Sequence, residues 1–275
     1  MDDDTFYSHF RMQKKYLQEV DNNVKTNVDR IISGSSCSFP RKSIAPDNLE
    51  LANNTSFRQI SDRFNVGMGA TYRTFIKSLK LICRLKSTLI KFPSTTAAQQ
   101  KIADGFSQSR YNIFPFVLGC IDGTHIHISQ PKHDAISFYN RKGMFCIIAL
   151  AVVDSEMKFL DIFVGCPGRC HDASVWQRSP LRTAIINGEI SIPPSHHFLG
   201  DAAYPLDTFL MVPYRDNGFL TPQQSKFNTI LSSNRHNTHF IELEEKESEV
   251  GVSIPSLARD EAQEKRKGLA ALFSG

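Results

Sequence analysis

The spacing of apolar residues divides the chain into a helical front, a run of strands and a polar end. Phe6, Phe10, Tyr16, Leu17, Val20, Val24, Val28 and Ile31 recur near the 3.6-residue period, which predicts a helical segment over 4–33. A Ser/Pro/Gly-rich connection follows at 33–48. From Thr55 the pattern predicts two helices. Phe57, Ile60 and Phe64 form one stripe, "NVGMG" interrupts it, and Tyr72, Phe75, Ile76 and Leu79 are placed to pack back. Such a pair fits a helix-turn-helix over 55–85, and also fits an ordinary helical hairpin with solvated basic faces. The preceding "APDNLELANN" supplies little of the apolar stripe that a third helix requires. An Ala/Gln-rich stretch, "FPSTTAAQQKIADGFSQSR", reads as a further helix.

The period then changes to two. In "FVLGCIDGTHIHIS" (116–129), Cys120, Asp122, Thr124 and Ile126 share one face of a predicted strand, and Ile121, Gly123, His125 and His127 the other. "MFCIIALAVVD" (144–154) is continuously apolar, as for a strand buried on both faces. "KFLDIFVGCPG" (158–168) is a third strand, and Asp154–Lys158 is short enough for a hairpin turn. Asp172 opens a helix with Val175, Trp176, Leu181 and Ile185 as core. "HHFLGDAAYP" (196–205) and "FLMVPYR" (209–215) supply further strands before a terminal helix. Strands and helices in this order describe an α/β layer fold.

Composition narrows the class. With 41% hydrophobic and 22% charged residues in 275, the chain has the make-up of a globular protein with a sizeable core. Its acidic, then amphipathic start lacks the pattern of a secretory signal, and no apolar run approaches a membrane span, so an intracellular protein is expected. The six cysteines lack the paired spacing of a zinc finger or ribbon.

The net charge of +4 is unevenly spread. Nine Lys or Arg lie between Ser56 and Lys101, including Arg58, Arg63, Arg73, Lys77 and Lys80, against the single acid Asp62. That footprint suits a polyanion. From Glu242 to Glu264 eight acids face two bases, and the segment reads as a disordered acidic tail.

Three aspartates now share a setting. Asp122 lies in an apolar strand, Asp172 starts a helix beside His171, and Asp201 follows Gly200 at a strand end. Strands disfavour aspartate, and its burial demands compensation. A divalent cation, Mg²⁺ or Mn²⁺, supplies it, because such ions take carboxylate oxygens and activate water for phosphodiester cleavage. A glycosidase-like carboxylate pair is the competing chemistry, but it gives no reason for the basic region upstream. Capping of a helix start is the plain alternative for Asp172. Packing or hydrogen bonding is the simpler role for His125 and His127, and core for Trp176.

The motifs "IDGTHIHI" (121–128), "FYNRKGMFCIIALAVVD" (138–154), "PGRCHDASVWQRSPL" (167–181) and "FLGDAAYPLDTFLMVPY" (198–214), in this order, resemble the catalytic domain of Harbinger transposases and the nuclease domesticated from them. "FYSHFRM" (6–12) and "SFRQISDRFNV" (56–66) are similar to that family's N-terminal region. The resemblance implies an RNase H-like mixed sheet flanked by helices, preceded by a small helical helix-turn-helix region. It also implies DDE-type catalysis, with Asp122 and Asp172 as the first two catalytic acids and metal ligands and Asp201 as a further ligand. The implied organisation is a helical region at 1–110, a nuclease domain at 111–240 and the acidic tail at 241–275.

The departure is at the third acid. The family carries a Glu a few residues beyond the Arg of a segment like "FNTILSSNRH" (227–236), but the position four after Arg235 holds His239, and the first Glu is Glu242. Glu242 is the substitute candidate for catalysis and metal binding. Two functions remain: a metal-dependent nuclease hydrolysing DNA, or a DNA-binding protein that has lost cleavage with its third acid. In either, DNA is the partner, Arg58, Arg63, Arg73, Lys77 and Lys80 hold it, and the expected location is the nucleus as well as the cytoplasm. A separate DNA-binding partner protein is a further expectation.

Overall fold

The computed structural model describes residues 56–108, 114–236 and 256–273, in two compact units, one closing at Leu89 and the other opening at Ile90. The helix expected over 4–33 and the connection at 33–48 lie outside those residues.

The described residues of the first unit form a helical hairpin. Helix α1 (Phe57–Phe64) starts at a capping box, in which Ser56 and Gln59 each accept from the other's backbone N–H. It stops at Asn65, whose left-handed backbone (φ 51°) ends the helix. Helix α2 (Met68–Leu89) turns back against it. The Phe57 ring meets Tyr72 and Phe75 edge-on, each at 5.4 Å between centroids, and the Ser61 and Thr71 hydroxyls bond at 3.1 Å.

The second unit is built on one sheet. Helix α3 (Thr96–Gln108) leads to strand β1 (Val117–His127), and a short helix α4 (Ala135–Phe138) to the hairpin β2 (Cys146–Val153) and β3 (Phe159–Pro167). The hairpin turn is closed by the Asp154 N–H donating to Lys158 O, with the Asp154 carboxylate accepting from Glu156 and Lys158. Strands β4 (His197–Leu199) and β5 (Leu210–Met211) complete the order β3-β2-β1-β4-β5. β1 and β3 are antiparallel to β2, while β4 and β5 run parallel to β1. The fold is thus α/β with a mixed five-stranded sheet and flanking helices.

The helix expected from Asp172 to beyond Ile185 is two helices, α5 (Asp172–Arg178) and α6 (Pro180–Ile186). Pro180 pushes Ser179 into extended backbone (φ −66°, ψ 137°), and the Ser179 hydroxyl then caps α6 by accepting from Arg182 N–H. The acidic tail also departs from expectation: residues 256–272 form helix α8, which follows α7 (Pro222–His236). Ala262, Leu269, Ala270 and Phe273 bury one side of it, enough apolar surface to offset the charge on the other.

Two cores form, one on each face of the sheet. Leu118, Ile121, Ile148, Leu150 and Phe198 pack with Val175 and Trp176 of α5. Val117, Cys120, Leu199 and Met211 pack with Phe227 and Leu231 of α7 and Leu269 of α8. Each fully buried Phe or Leu contributes about 1.5–3 kcal/mol. A register irregularity between Val117 and Gly119 shifts the alternation of β1, so Val117 and Cys120 face one core and Leu118 and Ile121 the other.

Candidate active site

Pairing of β4 with β1 ends at Leu199 opposite Cys120, so the next residues of β1, Asp122 and Gly123, line the crevice where the chain leaves β4 through Gly200 and Asp201. In α/β sheets such openings beyond strand ends are where ligands bind. Alternation turns Asp122 toward the α7 face and Gly123 toward the α5 face.

Asp172 enters from the α5 side. The corner before α5 is tight: at Gly168 no Cβ would fit against the Cys146 thiol. His171 is the N-cap and makes no side-chain cap bond, and Asp172 is the first helical residue, where the helix dipole favours a negative charge. A Cβ built on Gly123 would sit 2.6 Å from Asp172 Oδ1 and 3.5 Å from the Tyr204 hydroxyl. Only a glycine at 123 admits the carboxylate to the strand backbone beside Asp122.

Arg235 arrives from the other face. Phe227, Leu231 and Arg235 repeat every four residues along α7, so the buried stripe of that helix continues into the guanidinium. Arg235 Nη2 stands 3.4 Å from Asp122 Oδ1, which also accepts from Gly123 N–H.

Tyr204 lies among these charges. Its ring packs on Gly200, its exposure is 3%, and its hydroxyl has no hydrogen-bond partner among the described residues. Burial first, then the charges of Asp172, Asp201 and Asp122, raise its phenol well above the usual value, against a smaller opposing effect of Arg235. Asp201 itself accepts from Ala203 N–H at 2.9 Å, fixing the turn that delivers Tyr204.

The charges of Asp122, Asp172 and Asp201 thus all act on the Tyr204 hydroxyl, and Asp172 Oδ1 shares with it the space over Gly123. The three acids form no ready-made metal cage: among the described residues no three His, Cys, Asp or Glu side chains are grouped to hold an ion. Glu242 and His239 lie outside the described residues. Sequence reasoning missed Tyr204, and used Arg235 only as a landmark. The "GDAAYP" turn was the available signal for Tyr204, and the four-residue apolar spacing the signal for Arg235.

Of the histidines, His125 Nδ1 is 3.1 Å from the Cys146 thiol and His127 is exposed, while Trp176 is fully buried. In the helical hairpin Arg58, Arg63, Arg73, Lys77 and Lys80 are all exposed. Arg73, Lys77 and Lys80 succeed one another at helical spacing on α2. Among the described residues no helix is long and apolar enough to cross a membrane.

Comparison with known proteins gives the class. A family model described as DDE superfamily endonuclease matches residues 121–243, a span that opens at the residue before Asp122 and takes in the sheet from there on, with α5 and α7. The protein named "Putative nuclease HARBI1" of Rattus norvegicus is 27% identical over 211 residues, 73% of this chain and 58% of its own. The Homo sapiens protein of the same name is 26% identical over 70% of this chain and 55% of its own. "Protein ALP1-like" of Arabidopsis thaliana is 31% identical over 42% of this chain and 31% of its own. No solved structure matches the chain.

The match to the DDE superfamily endonuclease model falls within the second unit. The chain is similar to the proteins named "Putative nuclease HARBI1", and spans little more than half the length of those it matches. These matches support a nuclease-like function.

Proposed function

We propose that the protein is a divalent-metal-dependent endonuclease that hydrolyses DNA phosphodiester bonds at Asp122 and Asp172. The observation that carries the reading is the approach of the Asp172 carboxylate to Gly123, the residue that follows Asp122 in β1, although Asp122 and Asp172 are fifty positions apart in the chain. The sheet order, with three antiparallel strands followed by two parallel ones, supports an RNase H-like fold.

Hard carboxylate oxygens near a buried hydroxyl that has no hydrogen-bond partner among the described residues fit a Mg²⁺ or Mn²⁺ ion. Asp122 and Asp172 would hold it, with Asp201 beside them. When bound, the ion would lower the pKa of a water and neutralise the leaving oxygen. Arg235 balances Asp122 and gives the acidic crevice a positive group toward a phosphate. Arg58, Arg63, Arg73, Lys77 and Lys80 hold the DNA backbone, a contribution that weakens with salt. A helix-turn-helix use of the hairpin, in which Arg73 reaches base edges, and a nuclear location belong to the same reading.

A second reading is favoured by the Asp122–Arg235 ion pair: a DNA-binding protein in which Arg235 satisfies Asp122 and cleavage is lost. Nicking of supercoiled plasmid in Mn²⁺ by the full chain, Asp122→Ala and Asp172→Ala separates the two. Nicking by the parent chain alone supports the nuclease. Equal nicking by all three, or DNA binding with no nicking, rejects it.

A further inference from the structure

Buried hydroxyls are almost always hydrogen-bonded, so a tyrosine whose hydroxyl lies near the Asp172 carboxylate with no hydrogen-bond partner among the described residues calls for a physical account. Packing alone does not supply one. A phenylalanine would fill the same space against Gly200 and Leu210, with no polar group to desolvate. The hydroxyl also shares with Asp172 Oδ1 the space over Gly123, 3.5 Å and 2.6 Å respectively from where a Cβ would stand.

We propose that Tyr204 is a positioning residue for the acidic centre, its hydroxyl being the donor that orients the Asp172 carboxylate when that carboxylate takes up a divalent cation. The inference rests on the nuclease reading above and assigns a role within it. A phenol hydroxyl is a hydrogen-bond donor, which suits it to a place beside a carboxylate. The buried ring lies against Gly200, so the place of the hydroxyl oxygen is set by the backbone turn at Asp201 rather than by the ligand. Groups that orient metal-binding carboxylates in this way commonly change metal affinity roughly ten- to a hundredfold when removed.

The test uses the full chain and Tyr204→Phe, with two readouts besides cleavage: the thermal midpoint in EDTA, and Mn²⁺ affinity from the free-ion electron paramagnetic resonance signal. Removing a hydroxyl that has no partner leaves the midpoint in EDTA equal or higher, while Mn²⁺ affinity falls at least tenfold. A lower midpoint with unchanged Mn²⁺ affinity would show a structural role and overturn the proposal.

The Asp172→Asn and Asp172→Asn/Tyr204→Phe chains complete a cycle. If Tyr204 acts through Asp172, adding Phe to the Asn variant changes Mn²⁺ affinity no further, and an additive loss contradicts that. A parent chain that binds no Mn²⁺ overturns the nuclease reading together with this role. A parent chain that binds Mn²⁺ as tightly as Tyr204→Phe overturns the role of Tyr204 alone.

Discussion

Arg235 Nη2 and Asp122 Oδ1 stand 3.4 Å apart, joining α7 to β1 across 113 positions of the chain. The Asp122 side chain is 39% exposed, so solvent screens the pair and its worth to stability is under about 1 kcal/mol. Its effect on the site is larger, because it sets the charge that a cation meets. Arg235→Met is expected to leave the urea midpoint nearly unchanged and to tighten Mn²⁺ binding, measured by titration. Weaker binding would show that Arg235 supports the metal site instead of balancing its charge.

Gly123 is the position where a single methyl group should be felt most. Gly123→Ala places Cβ 2.6 Å from Asp172 Oδ1, so the start of α5 or the carboxylate must shift. Overpacking of this kind costs about 1–3 kcal/mol. Nicking activity is expected to fall by more than stability explains, and a fully active Ala variant would show that Asp172 does not need this approach.

The three long strands and the hairpin turn were legible because alternation and a continuous apolar run leave few other structures open to β1, β2 and β3. The face of each β1 residue was less legible. The irregularity near Gly119 depends on β4, nearly eighty positions later, so no local pattern encodes it. The break at Ser179–Pro180 was written in the sequence, since proline forbids a continuous helix, but the shared apolar stripe of Val175, Leu181 and Ile185 masked it. In the tail, eight acids hid the few apolar residues that seat α8. Asp122 and Asp172 were found because an aspartate in an apolar strand and one after a Pro-Gly corner each need a cause. Tyr204 was missed because an unpartnered hydroxyl exists only once distant segments have met around it.

His197 gives the fold an acid-sensitive point. It is fully buried beside Phe114, and burial, with the Lys265 charge next, depresses it from 6.5 to about 3, although its bond to Ser195 O works the other way. Between these values the unfolded chain binds a proton that the folded chain refuses, so stability falls as pH drops from about 6.5 toward 3. Urea midpoints at pH 7, 5.5 and 4 should decline, and His197→Phe should flatten the decline. An equal slope in the variant would place the sensitivity elsewhere.

Lys265 holds α8 in place. Its Nζ donates to His196 O at 2.7 Å and Thr208 O at 2.8 Å, in surroundings that lower its pKa to about 8 by burial. Lys265→Met keeps the stem and removes both bonds. It is expected to cost about 1–3 kcal/mol. Hydrogen exchange over 256–273 should speed up, while β1 and β2 remain protected. Unchanged exchange in α8 would show that its apolar side alone suffices.

The claim underlying the account is that Asp122 and Asp172 serve one cation. Fe²⁺ in place of Mg²⁺, with ascorbate and peroxide, cuts a polypeptide beside a bound ion, and the cut sites are read by mass spectrometry. The account predicts cuts near both 122 and 172, and loss of both cuts in Asp122→Ala and in Asp172→Ala. Absence of cuts in the parent chain, or cutting at 122 that persists in Asp172→Ala, would contradict it.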